Sequence, residues 1–287
     1  MTGWRGSDRR TRRPPHRRIP RRAALWCDMD KKILSRDGTS LAYESAGRGA
    51  AVVLVSGAMS TGATVAPLAA PLSERFRVVV YDRRGRGASG DTAPYAVERE
   101  VEDLAALVEA VGGEASLYGV SSGGALALRA AASGLPVRHV AVYETPYATS
   151  EEDLRERAEY TERLTAALAE GRRGDAVELF LRLTGLDEAV IESARQSPMW
   201  AGMETIAPSL AYDDAVMGDG SVPEELLASI RVPVLAVAGD GSPAWMRQAA
   251  RAIADAVPRG TYRVLEGQTH MADPDVLAPV LAGFFAG

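Results

Sequence analysis

One serine near the middle of the chain lies between two glycines. Residues 117–124 read LYGVSSGG, so Ser121 has Gly119 and Gly123 two positions away on either side. This G-x-S-x-G pattern follows an apolar, strand-like run and precedes a helix-like one, which is typical of a nucleophile elbow. The tight turn strains the serine backbone and leaves no room for a side chain at either glycine. Ser121 is therefore the candidate nucleophile.

A serine hydroxyl is a weak nucleophile at neutral pH and needs a neighbouring base. The chain holds three histidines. His16 lies in an arginine-rich N-terminal arm, and His139 lies at the start of a predicted strand, remote from the elbow. His270 follows the late loop residues EGQT and is the candidate general base.

The first 28 residues differ in composition from the rest, because they hold nine arginines against two aspartates. We expect this arm to be disordered, since it has few apolar residues. It has three interpretations: a nucleic-acid-binding tail, a twin-arginine export signal, or translated sequence upstream of a start at Met29. We favour the last, because residues 29–32, MDKK, lead directly into the first predicted strand. The export signal is disfavoured, because the apolar run at residues 23–27 is shorter than the roughly 7–15 residues of such a signal's apolar core.

The remainder of the chain is more acidic than the overall net charge of −5. It therefore lacks the basic patch that nucleic-acid binding by the folded domain would need. No stretch approaches the ~18 apolar residues of a membrane span, so we expect a cytoplasmic protein without membrane association. A single cysteine, Cys27, and no H-E-x-x-H pattern predict no metal site. We expect no cofactor, and a small-molecule substrate as the partner.

Strand and helix signals alternate along most of the chain. Short apolar runs predict strands buried on both faces, and their alternation with helices predicts a mostly parallel sheet covered by helices. Between about residues 148 and 222 the pattern is helical throughout. The predicted organisation is an arm over 1–28, an α/β core over 29–147 and 223–287, and a helical cap over 148–222.

Four segments, each after a predicted strand, resemble motifs of the α/β-hydrolase family in the family's order. They are an oxyanion loop, a D-x-R-G-x-G-x-S loop, the elbow and a histidine loop, at residues 55–58, 82–89, 119–123 and 267–270. The resemblance implies the α/β-hydrolase fold with a helical cap. It also implies an esterase-like serine hydrolase acting on a small, partly apolar ester, lactone or thioester.

The resemblance further implies a role for each matching residue. Ser121 attacks an acyl carbon, His270 takes its proton and later protonates the leaving group, and the backbone N–H groups of Ala58 and Ser122 hold the oxyanion. Ser122 is a poorer nucleophile candidate, because Val120 would then occupy a flanking position that needs a small residue.

The acid departs from the common family pattern, in which it follows the penultimate strand three residues after a glycine. Here that position is Ser242. Asp240 lies in the same loop, and Glu144 ends the preceding strand; both strand ends flank the histidine loop, so both alternatives are open. We favour Glu144, because a glutamate closing a buried apolar strand is costly unless its charge is used. An ion pair with a cap arginine is the structural alternative.

Three further features bear on function. Ser56 stands where the family commonly has a histidine, and Asp82 and Arg83 are expected to be structural. The apolar cap residues are expected to form the cap's own packing face rather than line a pocket: Met199, Trp200, Met203, Ile206 and Leu210. Two other functions stay open, namely a cofactor-free haloperoxidase-like, perhydrolase-like or specialised-metabolism enzyme on the same fold, and a binding protein without catalysis.

Overall fold

The structure is a computed structural model that describes residues 31–287. The predicted arm, with His16 and Cys27, lies outside the described residues.

The described chain contains eight strands and eleven α-helices. The strands are β1 (Lys31–Leu34), β2 (Ser40–Ala46), β3 (Ala51–Val55), β4 (Arg77–Tyr81), β5 (Ala115–Val120), β6 (Val137–Tyr143), β7 (Val234–Gly239) and β8 (Gly260–Leu265). The helices are α1 (Gly62–Leu72), α2 (Val97–Ala110), α3 (Ser122–Ala132), α4 (Glu151–Ala169), α5 (Arg173–Leu183), α6 (Glu188–Arg195), α7 (Trp200–Ile206), α8 (Leu210–Met217), α9 (Glu224–Ser229), α10 (Ala244–Ala256) and α11 (Pro274–Phe285).

The strands form one sheet in the order β1-β2-β4-β3-β5-β6-β7-β8. Strand β2 is antiparallel to both of its neighbours, and from β4 to β8 every pairing is parallel. The predicted mostly parallel sheet is confirmed. Because parallel strands end at a common edge, the loops after β3, β5, β6, β7 and β8 meet there.

The apolar strands pack on two sides, as the twofold periodicity of a strand requires. In β3, Val53 and Val55 contribute to a core cluster with α2, α3 and α10, whereas Val52 and Leu54 contribute to a cluster with α1 and α11. Helices therefore cover both faces of the sheet, which is why central strands such as β3 and β7 are continuous apolar runs.

The helices between β6 and β7 include a group with a core of its own. We call α4 to α8 (residues 151–217) the helical segment; its buried cluster includes Tyr160, Leu164, Val177 and Leu210. The division into core and cap at 148 and 222 stays a prediction. Within residues 31–287, none of the helices combines the length and apolar character that crossing a membrane requires.

Candidate active site

The serine at the end of β5 has the strained backbone of an elbow. Ser121 has φ +55° and ψ −130°, directly before α3, and its side chain is partly exposed. A Cβ on Gly119 would overlap the carbonyl oxygen of Gly123, and a Cβ on Gly123 would overlap that of Val55. Neither position accepts a side chain, so the predicted steric demand of the turn is confirmed.

A Gly119→Ala substitution is expected to destabilise the fold, because the new methyl group would overlap backbone that cannot move without shifting α3. We expect the free energy of unfolding to fall by about 1–3 kcal/mol, the usual cost of overpacking. Gly283→Ala is the matched control, since a Cβ there meets nothing within 4 Å; in the interior of α11 it should stabilise by about 0.5–1 kcal/mol. Urea denaturation of both variants checks this, and equal stabilities would contradict it.

The neighbouring serine faces the interior. Ser122 is buried, and its Oγ donates to Asp213 Oδ1 at 2.7 Å and lies 3.4 Å from Arg83 Nη1, which donates to it. A hydroxyl held between a buried carboxylate and a guanidinium is closed to substrate. This placement supports Ser121 as the nucleophile candidate.

Glu144 and His270 are brought together by the ends of β6 and β8. Glu144 Oε2 lies 2.9 Å from His270 Nδ1, and Glu144 Oε1 accepts from the Gly239 N–H at 2.9 Å. The carboxylate is fully buried, whereas the imidazole side chain is 39% exposed. Glu144 itself has φ +45°, a conformation that costs energy for a non-glycine residue. Its oxygens therefore face the imidazole and a backbone N–H, not an arginine of the helical segment.

Asp240, the alternative acid, has a different partner. Its side chain is exposed, and Oδ1 accepts from the Gly267 N–H at 2.6 Å, which braces the turn before the histidine. Ser242, at the family's usual acid position, is buried, and its Oγ has no hydrogen-bond partner among the described residues. The carboxylate that contacts His270 thus comes from the earlier strand.

Tyr143 joins the elbow to the histidine loop, a role that sequence reasoning missed. Its carbonyl accepts from the Ser121 N–H at 3.0 Å, and its hydroxyl donates to the Thr269 carbonyl at 2.6 Å. Burial and the nearby Glu144 carboxylate raise the pKa of Tyr143, so its hydroxyl remains a donor. The only available signal was a tyrosine ending an apolar strand, immediately before the acid.

The loop after β3 lies against the serine. A Cβ on Gly57 would lie 3.0 Å from Ser121 Cβ, so this loop closely approaches the elbow. Within the described part of the chain, neither the Ala58 N–H nor the Ser122 N–H donates to a protein acceptor. Ser56 is buried and its Oγ lacks a partner among residues 31–287, so this side chain does not brace the loop as a histidine would.

Asp82 ties two loops together, as expected. Its Oδ1 accepts from the Gly62 N–H and its Oδ2 from the Ala88 N–H, both at 2.8 Å. The first bond fixes the start of α1, and the second closes the loop after β4. The structural role predicted for Asp82 is confirmed.

The apolar residues predicted to pack within the cap divide into two groups. Leu210 is fully buried in the core of the helical segment, and Trp200 and Met203 pack against that core. Met199 is 74% exposed. The packing-face interpretation is confirmed for Leu210, Trp200 and Met203. It does not hold for Met199, and it stays a prediction for the half-buried Ile206.

Metal-ligating side chains do not cluster in the described chain. Over residues 31–287, no group of three or more His, Cys, Asp or Glu side chains is arranged to hold a metal ion.

Comparison with known proteins agrees with the observed fold. The sequence model that describes the alpha/beta hydrolase family matches residues 52–280, which include all four motif segments. The chain belongs to this family. The observed sheet order, with the elbow after β5 and the histidine after β8, is the fold that the sequence resemblance implied.

Three relatives illustrate the range of similarity. An alpha/beta hydrolase from Sphaerobacter thermophilus is 50% identical, with a TM-score of 0.81 over 89% of this chain and 100% of that structure. An esterase from Thermogutta terrifontis is 25% identical, with a TM-score of 0.68 over 89% of this chain and 97% of that structure. A protein of Azorhizobium caulinodans named "Putative carbamate hydrolase RutD" is 27% identical over 85% of this chain and 94% of its own length.

Proposed function

We propose that this protein is a serine hydrolase that cleaves a small, partly apolar carboxylic ester, lactone or thioester. The observations that carry the proposal are the 2.9 Å contact between Glu144 and His270 and the strained elbow backbone of Ser121. The family to which the chain belongs and the esterase similarity support the hydrolytic class.

In each half-reaction of the proposed mechanism, His270 first accepts a proton and then donates it. His270 Nδ1 donates to Glu144, so Nε2 carries the lone pair that accepts the Ser121 proton as Oγ attacks the acyl carbon. The tetrahedral oxyanion receives hydrogen bonds from the Ala58 and Ser122 N–H groups. The imidazolium then protonates the leaving group, and water repeats the sequence on the acyl-enzyme to release the acid and restore Ser121.

Apolar side chains follow two of the proposed catalytic groups along the chain. Met59 comes directly after Ala58 and has φ +51°. Met271 comes directly after His270 and is 75% exposed. Flexible thioether side chains adapt to irregular apolar groups. We infer that the acyl or alcohol part of the substrate is at least partly apolar.

A panel of small acyl substrates tests the proposal. We expect the wild-type protein to hydrolyse short 4-nitrophenyl esters, lactones or thioesters, and the Ser121→Ala variant to hydrolyse none of them. A carbamate belongs in the panel because of the Azorhizobium relative's name. Halogenation that requires peroxide, without hydrolysis of any panel member, would contradict the hydrolase assignment.

A further inference from the structure

Two arginines in the loop after β4 are fully buried beneath the elbow. Arg83 donates to both oxygens of Glu100 at 2.7 Å, and through Nη1 to Asp213 Oδ1 at 2.8 Å. Arg86 donates through Nη2 to Asp213 Oδ2, also at 2.8 Å. Burial raises the pKa of Asp213, but the charges of Arg86 and Arg83 outweigh this effect and hold it below its ordinary value. The four side chains form a charge-balanced cluster.

The same arginines also hold carbonyl groups of the loop after β3. Arg86 Nη1 donates to the Gly57 carbonyl at 2.6 Å, and Arg83 Nη1 donates to the Ser56 carbonyl at 3.2 Å. The Gly57 carbonyl also accepts from Ser60 Oγ at 2.6 Å. These bonds determine which way the peptide units of the loop face, although the side chain of Ser56 contributes nothing.

The orientation of the Gly57 carbonyl sets that of the Ala58 N–H. The two belong to one planar trans peptide unit, in which the C=O and N–H bonds point in opposite directions. Because Arg86 draws the carbonyl toward the buried side, the Ala58 N–H faces away from the arginines. A charged donor on the carbonyl also polarises the unit and strengthens its N–H as a donor.

Asp213 extends the cluster to the other proposed oxyanion donor and to the helical segment. It lies in α8, and its Oδ1 accepts from the hydroxyl of Ser122, whose backbone N–H is that second donor. One carboxylate therefore contacts the arginine that orients the first donor and the residue that supplies the second. The two donors are held relative to each other through side chains distant in sequence.

We propose that Arg86 is a positioning residue that aligns the Ala58 N–H for oxyanion binding, and that Asp213 couples this alignment to Ser122. The inference rests on the proposed serine hydrolase function. Arg86 acts through the Gly57–Ala58 peptide and does not contact the reacting atoms.

Paired oxygen and sulfur substrates separate this role from a purely structural one. A thionoester carries sulfur where the ester carries its carbonyl oxygen, and sulfur is a weak hydrogen-bond acceptor. Misalignment of an oxyanion donor therefore slows the oxoester far more than the thionoester. Loss of folded protein slows both equally.

The experiment compares 4-nitrophenyl acetate with its thionoester analogue in Arg86→Lys and Arg86→Met. We expect kcat/KM for the oxoester to fall about 10- to 100-fold, less than the ~10²–10³ for loss of a whole donor, with most of the loss in kcat. The oxoester-to-thionoester ratio should fall by a similar factor, and Arg86→Lys, which keeps the charge, should lose less. Ser60→Ala removes only the neutral hydrogen bond to the same carbonyl and should lower the oxoester-to-thionoester ratio a few fold. This variant provides the test if the Arg86 variants do not fold.

Arg84→Met is the matched control. Arg84 is equally buried and is paired with Asp103 and Asp37, but it contacts no carbonyl of residues 55–58. The oxoester-to-thionoester ratio of Arg84→Met should equal that of the wild-type protein, even if the variant is less stable. An unchanged ratio in the folded Arg86 variants, or in Ser60→Ala alone if these do not fold, would overturn the positioning role. A wild-type protein that hydrolyses neither substrate would instead count against the proposed function.

Discussion

Replacing Ser121 or His270 by alanine is expected to abolish turnover of a short 4-nitrophenyl ester. Each single substitution should lower kcat by several orders of magnitude, up to the ~10⁶-fold seen when a serine–histidine pair is broken. The double variant should be no worse than either single one. Without the imidazole the hydroxyl is not deprotonated, and without the hydroxyl the imidazole has no proton to accept, so the two losses describe one event.

His139→Gln is the control for the histidine substitution, since His139 is the other histidine within residues 31–287. It packs against Phe284 at the opposite end of β6 from Glu144, so its removal should leave kcat near the wild-type value. Steady-state kinetics on the three alanine variants and this control are sufficient. Additive losses in the double variant would mean that a different pair of residues carries the reaction.

Glu144→Gln is expected to keep the fold and lower kcat by about 10⁴-fold, the loss associated with converting a triad carboxylate to an amide. The Gly239 N–H contacts one of the two oxygens and must meet the amide oxygen. The amide N–H₂ is then directed at His270 Nδ1, which becomes an acceptor and moves the ring proton to Nε2. That tautomer cannot accept the proton of Ser121.

Asp240→Asn is the paired control for the acid. Its oxygen still accepts from the Gly267 N–H, so the turn is preserved and kcat should change less than a few fold. Both variants are measured at saturating ester, with circular dichroism to confirm folding. A severe defect in Asp240→Asn beside a mild one in Glu144→Gln would move the acid to the loop after β7.

The central strands could be predicted to the residue because their signal is local. Mostly apolar runs predict strands at residues 51–55, 77–81, 115–120 and 137–143, and β3 to β6 have these bounds. All four strands are largely buried, and Arg138 near the start of β6 is their one exposed residue. For β7, the apolar run at residues 232–239 predicts a strand that begins at Val232, but the strand begins at Val234. Pro233 has no N–H to donate, so the parallel ladder begins after it.

Features that depend on distant residues could not be read from the sequence. The sequence predicts a helix over residues 65–74, whereas α1 starts at Gly62, whose N–H donates to Asp82. Asp213 lies 130 residues from Arg83, and nothing in its local sequence distinguishes it from a solvated aspartate of a helix. Only the folded chain brings this charge beneath the elbow.

The acid lies between these two cases. The general cost of a buried, unpaired carboxylate was enough to favour Glu144 over Asp240. What the sequence could not supply was the contact itself, because the position of the histidine loop depends on Tyr143 and on the close approach of Gln268 to Gly239 and Gly241.

Labelling with a fluorophosphonate probe, followed by mass spectrometry of the digested protein, tests the nucleophile most directly. The probe forms a stable adduct only with a serine that is activated as a nucleophile. We predict a single adduct on Ser121 in the wild-type protein, no adduct in Ser121→Ala, and a strongly slowed reaction in His270→Ala. An adduct on Ser122, or no adduct in a wild-type protein that hydrolyses esters, would contradict the assignment of Ser121.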